Sequence, residues 1–192
     1  VKSTNRKCST CKKKVPASEA LTGGLKAFCS YGCLIAYSKS EAGQKVVQKA
    51  KRAEIKEKKE KLKTARDYIK DCQTAVNAYV RYRDEGKPCI SCGNLPENKL
   101  GGTMDAGHYR SRGSAGHLRF NTLNIALQCV RCNRWESGSA ISFRLGLIDK
   151  IGEDLVLALE ADNEPRKFTV EYLKRCTAIF RKRLRHLKKL RG

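Results

Sequence analysis

Between Cys89 and Asn133 the chain sets out, in order, Cys89-Ile-Ser-Cys92, Asp105-Ala-Gly-His108, Asn124 and Cys129-Val-Arg-Cys132-Asn133. A CxxC pair bends back on itself and offers two thiolates to one tetrahedral ion, so two pairs frame a structural zinc site. Hydrolysis of a phosphodiester needs a base for the attacking water and a cation on the scissile phosphate and leaving oxygen. His108 suits the first task, because neutral imidazole is well populated near pH 7. A zinc tie between the two pairs would let groups distant in sequence converge on one pocket.

The other cysteines extend this reading. Eight of the ten fall into four close pairs: Cys8/Cys11, Cys29/Cys33, Cys89/Cys92 and Cys129/Cys132. Such spacing favours two zinc ions in a reducing cytosol over disulfides. Cys72 and Cys176 stand in helical patterns beside apolar residues and read as small core side chains. Net charge is +22, from 41 Lys and Arg against 19 Asp and Glu. That excess points to a polyanionic partner, nucleic acid first, with a ribosome-associated protein or a membrane-surface binder as the bland alternatives. No apolar run approaches ~18 residues, so no bilayer span is expected. No secretory signal opens the sequence, which begins at Val1.

The elements that must position these residues follow from periodicity. Residues 1–38 read as an N-terminal zinc module: a knuckle at Cys8–Cys11, a ribbon with turns at Pro16 and Gly23-Gly24, and a helix entered at Phe28–Cys33. So few residues bury little core, and a metal would supply the missing stability. A DNA-touching module and a folding staple remain open. Residues 39–63, rich in Lys, Glu, Gln and Ala without an apolar stripe, are a basic solvated helix or a flexible linker. Residues 64–192 form the main domain. Ala65, Tyr68, Ile69, Cys72, Ala75, Val76, Tyr79 and Val80 mark one buried helical face, stopped by Gly86 and Pro88. A first hairpin strand is expected at Met104–Tyr109 after the turn-rich Gly101-Gly102. Asn124 falls in the loop or second strand before the second knuckle, and Asn133 at the start of the helix which that knuckle opens. Helices follow over Ile141–Ile151, over 153–160, and from a cap at Thr169. From Lys174 to Arg191 every formally charged residue is positive, which favours phosphate contact.

On these residues the segment from Cys89 to about Gly138 resembles a zinc-bound HNH endonuclease of the ββα-metal fold. In that family an Asn stands five residues before the second CxxC and His or Asn follows its last Cys, as Asn124 and Asn133 do here. More broadly, Cys89-Ile-Ser-Cys92-Gly93, Asp105-Ala-Gly-His-Tyr-Arg110, Leu118-Arg-Phe-Asn121, Asn124-Ile125, Gln128-Cys129 and Cys132-Asn133 resemble the NinG, or Rap, recombination family of lambda-like phages. The resemblance runs from about Tyr68 to the C-terminus and includes the N-terminal cysteine cluster. It implies a structure-specific endonuclease acting in the cytoplasm of a bacterial host on branched recombination intermediates such as D-loops and Holliday junctions. It implies His108 as general base, with Asn124, Asn133 and Asp105 positioning the cation and the scissile phosphate. Asp105 and Asn133 would ligate Mg²⁺ or Mn²⁺. HNH enzymes usually place the acid immediately before the histidine; here that position is Gly107. Three strand residues span ~10 Å against ~3.3 Å for one, and a bulge near Gly107 would shorten the gap.

The expected architecture is α+β: a ββα-metal, treble-clef-like zinc core flanked by helices, with an N-terminal four-cysteine module. Arg110, Arg112, Arg119, Arg131 and Arg134 crowd the segment and are candidates to grip phosphates. Trp135 either stacks on a base or packs as core; His117 reads as a loop residue and Asn121 as a turn cap. Two rival functions keep part of this pattern. A non-enzymatic zinc-containing DNA-binding protein needs the cysteines and the basic surface but not His108, Asn124 or Asn133. An HNH nickase on ordinary duplex keeps the chemistry without the junction preference. Symmetric resolution of a junction needs two active sites, hence a homodimer, for which the C-terminal helix is one interface. Host or phage recombination proteins are the expected protein partners.

Overall fold

A computed structural model describes residues 5–23, 26–97 and 103–192. Gly24 and the turn expected at Gly101-Gly102 lie outside the described residues. The chain divides into two compact units, Val1–Leu62 and Lys63–Gly192.

In the first unit the expected ribbon is two antiparallel hairpins. β1 (Asn5–Lys7) pairs with β2 (Lys14–Pro16), and β3 (Leu21–Gly23) with β4 (Lys26–Phe28). Ser30 caps α1 (Tyr31–Lys39) by accepting from the Cys33 N–H. The basic stretch then folds as α2 (Glu41–Lys61), a helix exposed along its length except at Gly43. Of the two outcomes its composition left open, the helix forms, laced by Glu41–Lys45, Glu54–Lys58 and Glu57–Lys61 pairs. Ser40 turns the corner between the helices: its hydroxyl donates to Tyr37 O and accepts from Gly43 N. The corner is so tight that a Cβ at position 43 would lie 1.9 Å from Tyr37 O, so only glycine fits.

In the second unit a two-stranded hairpin lies between two helix pairs. α3 (Ala65–Arg83) starts at a capping box in which Thr64 and Asp67 exchange hydrogen bonds. β5 (Met104–His108) pairs antiparallel with β6 (Ile125–Cys129). α4 (Ala140–Ile151), α5 (Glu153–Ala161) and α6 (Val170–Arg191) complete the unit, α6 capped by Thr169 as expected. Strand alternation divides the hairpin between two cores. Ala106 and Ile125 face α3 and α6, with Val76, Val80, Leu173, Phe180 and the buried Cys72 and Cys176. Ala126 faces α4 and α5, with Phe143, Leu147, Val156 and Leu159.

Two expectations need correcting. The β5–β6 register is continuous from Met104↔Cys129 to His108↔Ile125, so there is no bulge at Gly107. The second knuckle opens a single π turn, Arg131–Trp135, rather than a sustained helix. Ser137, Gly138 and Ser139 all take positive φ (51°, 85° and 47°) and break the chain before α4 can begin.

A buried ion cluster fixes α3 against α4 and the loop before β6. Asp84 is 1% exposed and accepts from Arg83 at 2.9 and 2.6 Å and from Lys150 at 2.7 Å. Arg83 also donates to the Thr122 and Ile125 carbonyls. Burial opposes ionisation of Asp84, but the two cations outweigh it and hold its pKa below the usual range. Asp84→Ala strands both cations, and urea unfolding is expected to register a loss of about 3 kcal/mol.

Candidate functional site

Each four-cysteine set gathers into one cluster. The sulfurs of Cys8, Cys11, Cys29 and Cys33 all lie within 4.8 Å of one another, as do those of Cys89, Cys92, Cys129 and Cys132. A tetrahedral ion with bonds of about 2.3 Å would set its sulfurs about 3.8 Å apart. Observed separations include 3.4 Å for Cys11–Cys29, 3.5 Å for Cys29–Cys33 and 3.8 Å for Cys92–Cys129. In each cluster the surroundings favour thiolate at one cysteine, while burial and the neighbouring sulfurs raise Cys29, Cys129 and Cys132. Burial opposes ionisation of Cys89, yet backbone N–H groups of Cys129, Cys92 and Ser91 outweigh it and bring its pKa down to about 7. In the first cluster backbone groups of Cys11, Cys29 and Thr10 likewise overcome burial and hold Cys8 at about 6. Contacts with Cys11 and Cys33 push Cys29 up to about 12. Four neighbouring thiolates repel one another unless a cation joins them, so each cluster could hold a zinc ion.

The second cluster organises the pocket. Cys129 ends β6, Cys132 lies in the π turn, and Asn133 follows it; the Cys129 N–H donates to Cys89 Sγ at 3.3 Å. Asp105, His108 and Asn133 thereby line one cavity of about 560 Å³, together with Asn77, Arg81 and Arg112. Its wall takes in Asp105, Ala106 and His108 in turn, so both faces of β5 border it.

Asp105 carries the pocket's negative charge. Its Oδ2 accepts from Asn133 Nδ2 at 2.9 Å and Arg134 Nε at 2.7 Å, and its Oδ1 from the Arg134 guanidinium at 2.9 Å. The Arg134 bonds chiefly, then Asn133 and the Arg81 charge, keep its pKa below the ordinary carboxylate value against burial. The absence of an acid at position 107 has a steric cause. A Cβ there would meet Gln128 Oε1 at 2.2 Å, and Gln128 is held by Ser91 Oγ at 2.8 Å and Gly138 O at 2.7 Å.

His108 is gripped through one nitrogen. Its Nε2 lies 3.1 Å from the Arg119 carbonyl and 3.4 Å from Gln73 Nε2. A carbonyl can only accept, so Nε2 carries the hydrogen and Nδ1 keeps the basic lone pair. Burial pulls the ring's pKa down to about 4, with Arg112 and Arg119 adding to it against the Arg119 carbonyl. The imidazole is therefore neutral at pH 7 and able to take a proton.

Asn124, expected to help position the cation and the scissile phosphate, does not line this cavity. It is fully buried, its Oδ1 accepts from Arg110 N at 2.8 Å, and its Nδ2 donates to Arg110 O at 3.0 Å. It pins the backbone just beyond His108 to the start of β6. Arg110 is likewise taken up internally: its guanidinium caps the C-terminal end of α5 on the Leu159, Glu160 and Asp162 carbonyls, and so is not aimed at phosphate. Arg131 pairs with Glu136 at 3.0 Å and Arg134 with Asp105, whereas Arg112 and Arg119 face cavities. Trp135 is 79% exposed and is not core. His117 sits in a short 3-10 turn with Nε2 2.6 Å from Asp162 O, and Asn121 caps the turn at Leu123. The sequence reading missed Asn77, Arg81 and Gln73, which lie off the apolar stripe of α3 that the sequence marks. The available signal was the stripe of cations there, Arg66, Lys70 and Arg81.

Two measurements follow. Metal analysis is expected to return two zinc ions per chain, and Cys89→Ser to lose one of them together with the cooperative unfolding of the second unit. His108 has a folded pKa near 4 against about 6.5 unfolded, so its neutral form favours the fold fully above 6.5, and that contribution fades as pH falls towards 4. Wild-type stability should drop between these limits by up to an amount on the order of 3 kcal/mol more than that of His108→Gln, in denaturant titrations at each pH.

The family model of the bacteriophage lambda NinG protein matches residues 1–190. Protein ninG of Escherichia phage lambda is 40% identical over 138 residues, covering 72% of this chain and 66% of the relative. Protein ninG of Salmonella phage P22 is also 40% identical over the same shares, and that of Escherichia phage 933W is 39% identical over 72% and 67%. The matched stretch thus spans just under two thirds of the lambda relative. No solved structure matches the chain. No helix of the described residues is long and apolar enough to cross a membrane.

Proposed function

The chain belongs to the NinG family of lambda-like phages, and from that premise we propose that it is a metal-dependent HNH-type endodeoxyribonuclease that cuts branched DNA. The observation that carries this reading is the convergence of Asp105, His108 and Asn133 on one cavity, although they span 28 residues of sequence. The order of β5, β6, the four-cysteine tie and α4 agrees with a ββα-metal core. Net charge of +22 supports a nucleic-acid partner.

In this reading His108 Nδ1 takes the proton of the attacking water, while the Arg119 carbonyl holds the ring and steadies the imidazolium that forms. Asp105 and Asn133 Oδ1 are the oxygen donors for Mg²⁺ or Mn²⁺. One carboxylate and one amide suit a hard cation that completes its shell with water and substrate phosphate. Such a cation, when bound, stabilises charge on the phosphate and leaving oxygen. Asn133 also aims the Asp105 carboxylate through its Nδ2. Arg134 must share or yield that carboxylate, and an arginine released there lies within reach of a phosphate. Branched intermediates are the substrate that the family premise favours, in a bacterial host and alongside recombination proteins.

The bidentate Arg134–Asp105 pair favours one other reading, a non-enzymatic DNA-binding protein in which that pair is permanent. A cleavage assay on a four-way junction and on linear duplex of the same sequence, with and without Mg²⁺, separates these. Wild type should cut the junction preferentially and only with the cation. His108→Ala should keep junction binding and zinc content while turnover falls ~10²–10⁴-fold. Full cleavage by His108→Ala would refute the proposed mechanism, and equal cutting of both substrates would leave a duplex nickase.

A further inference from the structure

Beside the pocket lies a second cavity of about 360 Å³, which shares Asn77 and Arg112 with it. Arg66, Lys70, Arg112 and Arg119 supply its charge, and no carboxylate lines it among the described residues. Three other cations near the pocket or its flanking helices are paired: Arg131 with Glu136, Arg134 with Asp105, Arg144 with Glu160. The two acids of α3 are engaged beside this cavity, Asp67 in the Thr64 capping box, where it also feels the Lys70 charge, and Asp71 with Lys63. Arg112 and Arg119 face each other closely enough that burial and then Arg112 depress the Arg119 guanidinium. Like charges gathered without a counterion are costly, and an anion between them would relieve that cost.

The anion must be an extended one. Arg66, Lys70, Thr74, Asn77 and Arg81 recur every three or four residues, so they share one face of α3. From Arg66 to Asn77 this face runs about 16 Å, at 1.5 Å per residue. Consecutive phosphates of one DNA strand follow a winding path and lie roughly twice the 3.4 Å axial rise apart, so that length matches about three phosphates. The same helix reaches the pocket itself, since Gln73 touches His108 and Asn77 lines both cavities.

We propose that this face of α3, with Arg112 and Arg119, is a backbone track that holds about three consecutive phosphates of the DNA strand on one side of the scissile bond. It rests on the nuclease reading for the place of the cut, and its chemistry is electrostatic and indifferent to sequence. Guanidinium and ammonium groups take phosphate oxygens, the Asn77 amide N–H adds a neutral hydrogen bond, and no base is read. The strand is thereby delivered past Gln73 to His108.

The test is fluorescence anisotropy of a labelled four-way junction in graded salt, with the full-length chain. Arg66→Ala/Lys70→Ala should weaken binding at least tenfold and reduce the slope of log K against log salt by about 2. Lys87→Ala/Lys167→Ala removes the same charge elsewhere in the second unit and should leave slope and affinity unchanged. Thermal melting checks the fold; Arg66→Gln/Lys70→Gln replaces the alanine pair if that pair melts early. An unchanged slope, or an equal loss in the control pair, overturns the track. If wild type still cleaves while the slope is unchanged, the nuclease reading stands and the track alone fails. If the slope falls but no form cleaves, the track stands as a DNA-binding surface and the nuclease reading fails. Wild type that binds no DNA overturns both.

Discussion

The tie formed by Cys89, Cys92, Cys129 and Cys132 is the constraint on which the pocket depends. A two-stranded hairpin is marginal by itself, and this one gains its rigidity from helices on both faces and from the sulfur cluster at its end. Cys129 lies opposite Met104 in the register, so fixing one sulfur also fixes the start of β5. From there the strand pleat sets Asp105, and three residues on, His108. Cys132 fixes the π turn, and the turn sets Asn133 against Asp105. Without the tie each of these side chains would sit on an independent loop, and the entropy of bringing them together would fall on substrate binding.

The same tie explains why the acid stands at position 105. Gln128 occupies the space in front of Gly107, and its amide bridges Ser91 in the first knuckle to Gly138 beyond the second. An aspartate at position 107 would have to displace that bridge. At position 105 the carboxylate instead meets the residue following the last cysteine. Arginine then competes for the oxygens that a cation would use. The bidentate geometry with 2.7 and 2.9 Å contacts is a strong pair for a surface-accessible arginine. In the proposed reading, a divalent ion together with a DNA phosphate would have to replace it.

Much of this was legible in the sequence, and the reasons differ by residue. The cysteine pairs declare themselves because metal ligation fixes spacing as well as type. The cap at Thr169 and the end of the helix at Ile151 follow from backbone chemistry acting over a few residues. The π turn at Arg131–Trp135 was not legible, and neither were the three consecutive positive φ values that follow it, two of them at serines, which no propensity favours. How Asn124 acts was not legible, because an amide that binds a cation and one that braces a loop have the same sequence signature; only its complete burial distinguishes them. Arg110 misleads for a related reason. Its basic neighbourhood suggests phosphate, but the α5 carbonyls it caps lie about fifty residues downstream and are invisible to local reading.

Asn124 nonetheless belongs to the chemistry at one remove. Its amide closes on both the N–H and the C=O of Arg110, which leaves the strand two residues beyond His108 no freedom to twist. On the far side of the ring, the Arg119 carbonyl holds Nε2, and the Asn124 side chain also approaches the Leu118 carbonyl at 3.5 Å. One buried amide thus braces both the backbone that carries His108 and the backbone next to the carbonyl that orients it. A base is effective only when its lone pair is aimed before the substrate arrives, because aiming it afterwards would cost rate. The position of Nδ1 is therefore set by residues that never touch the substrate, and the hairpin, the 3-10 turn and α3 meet at this ring.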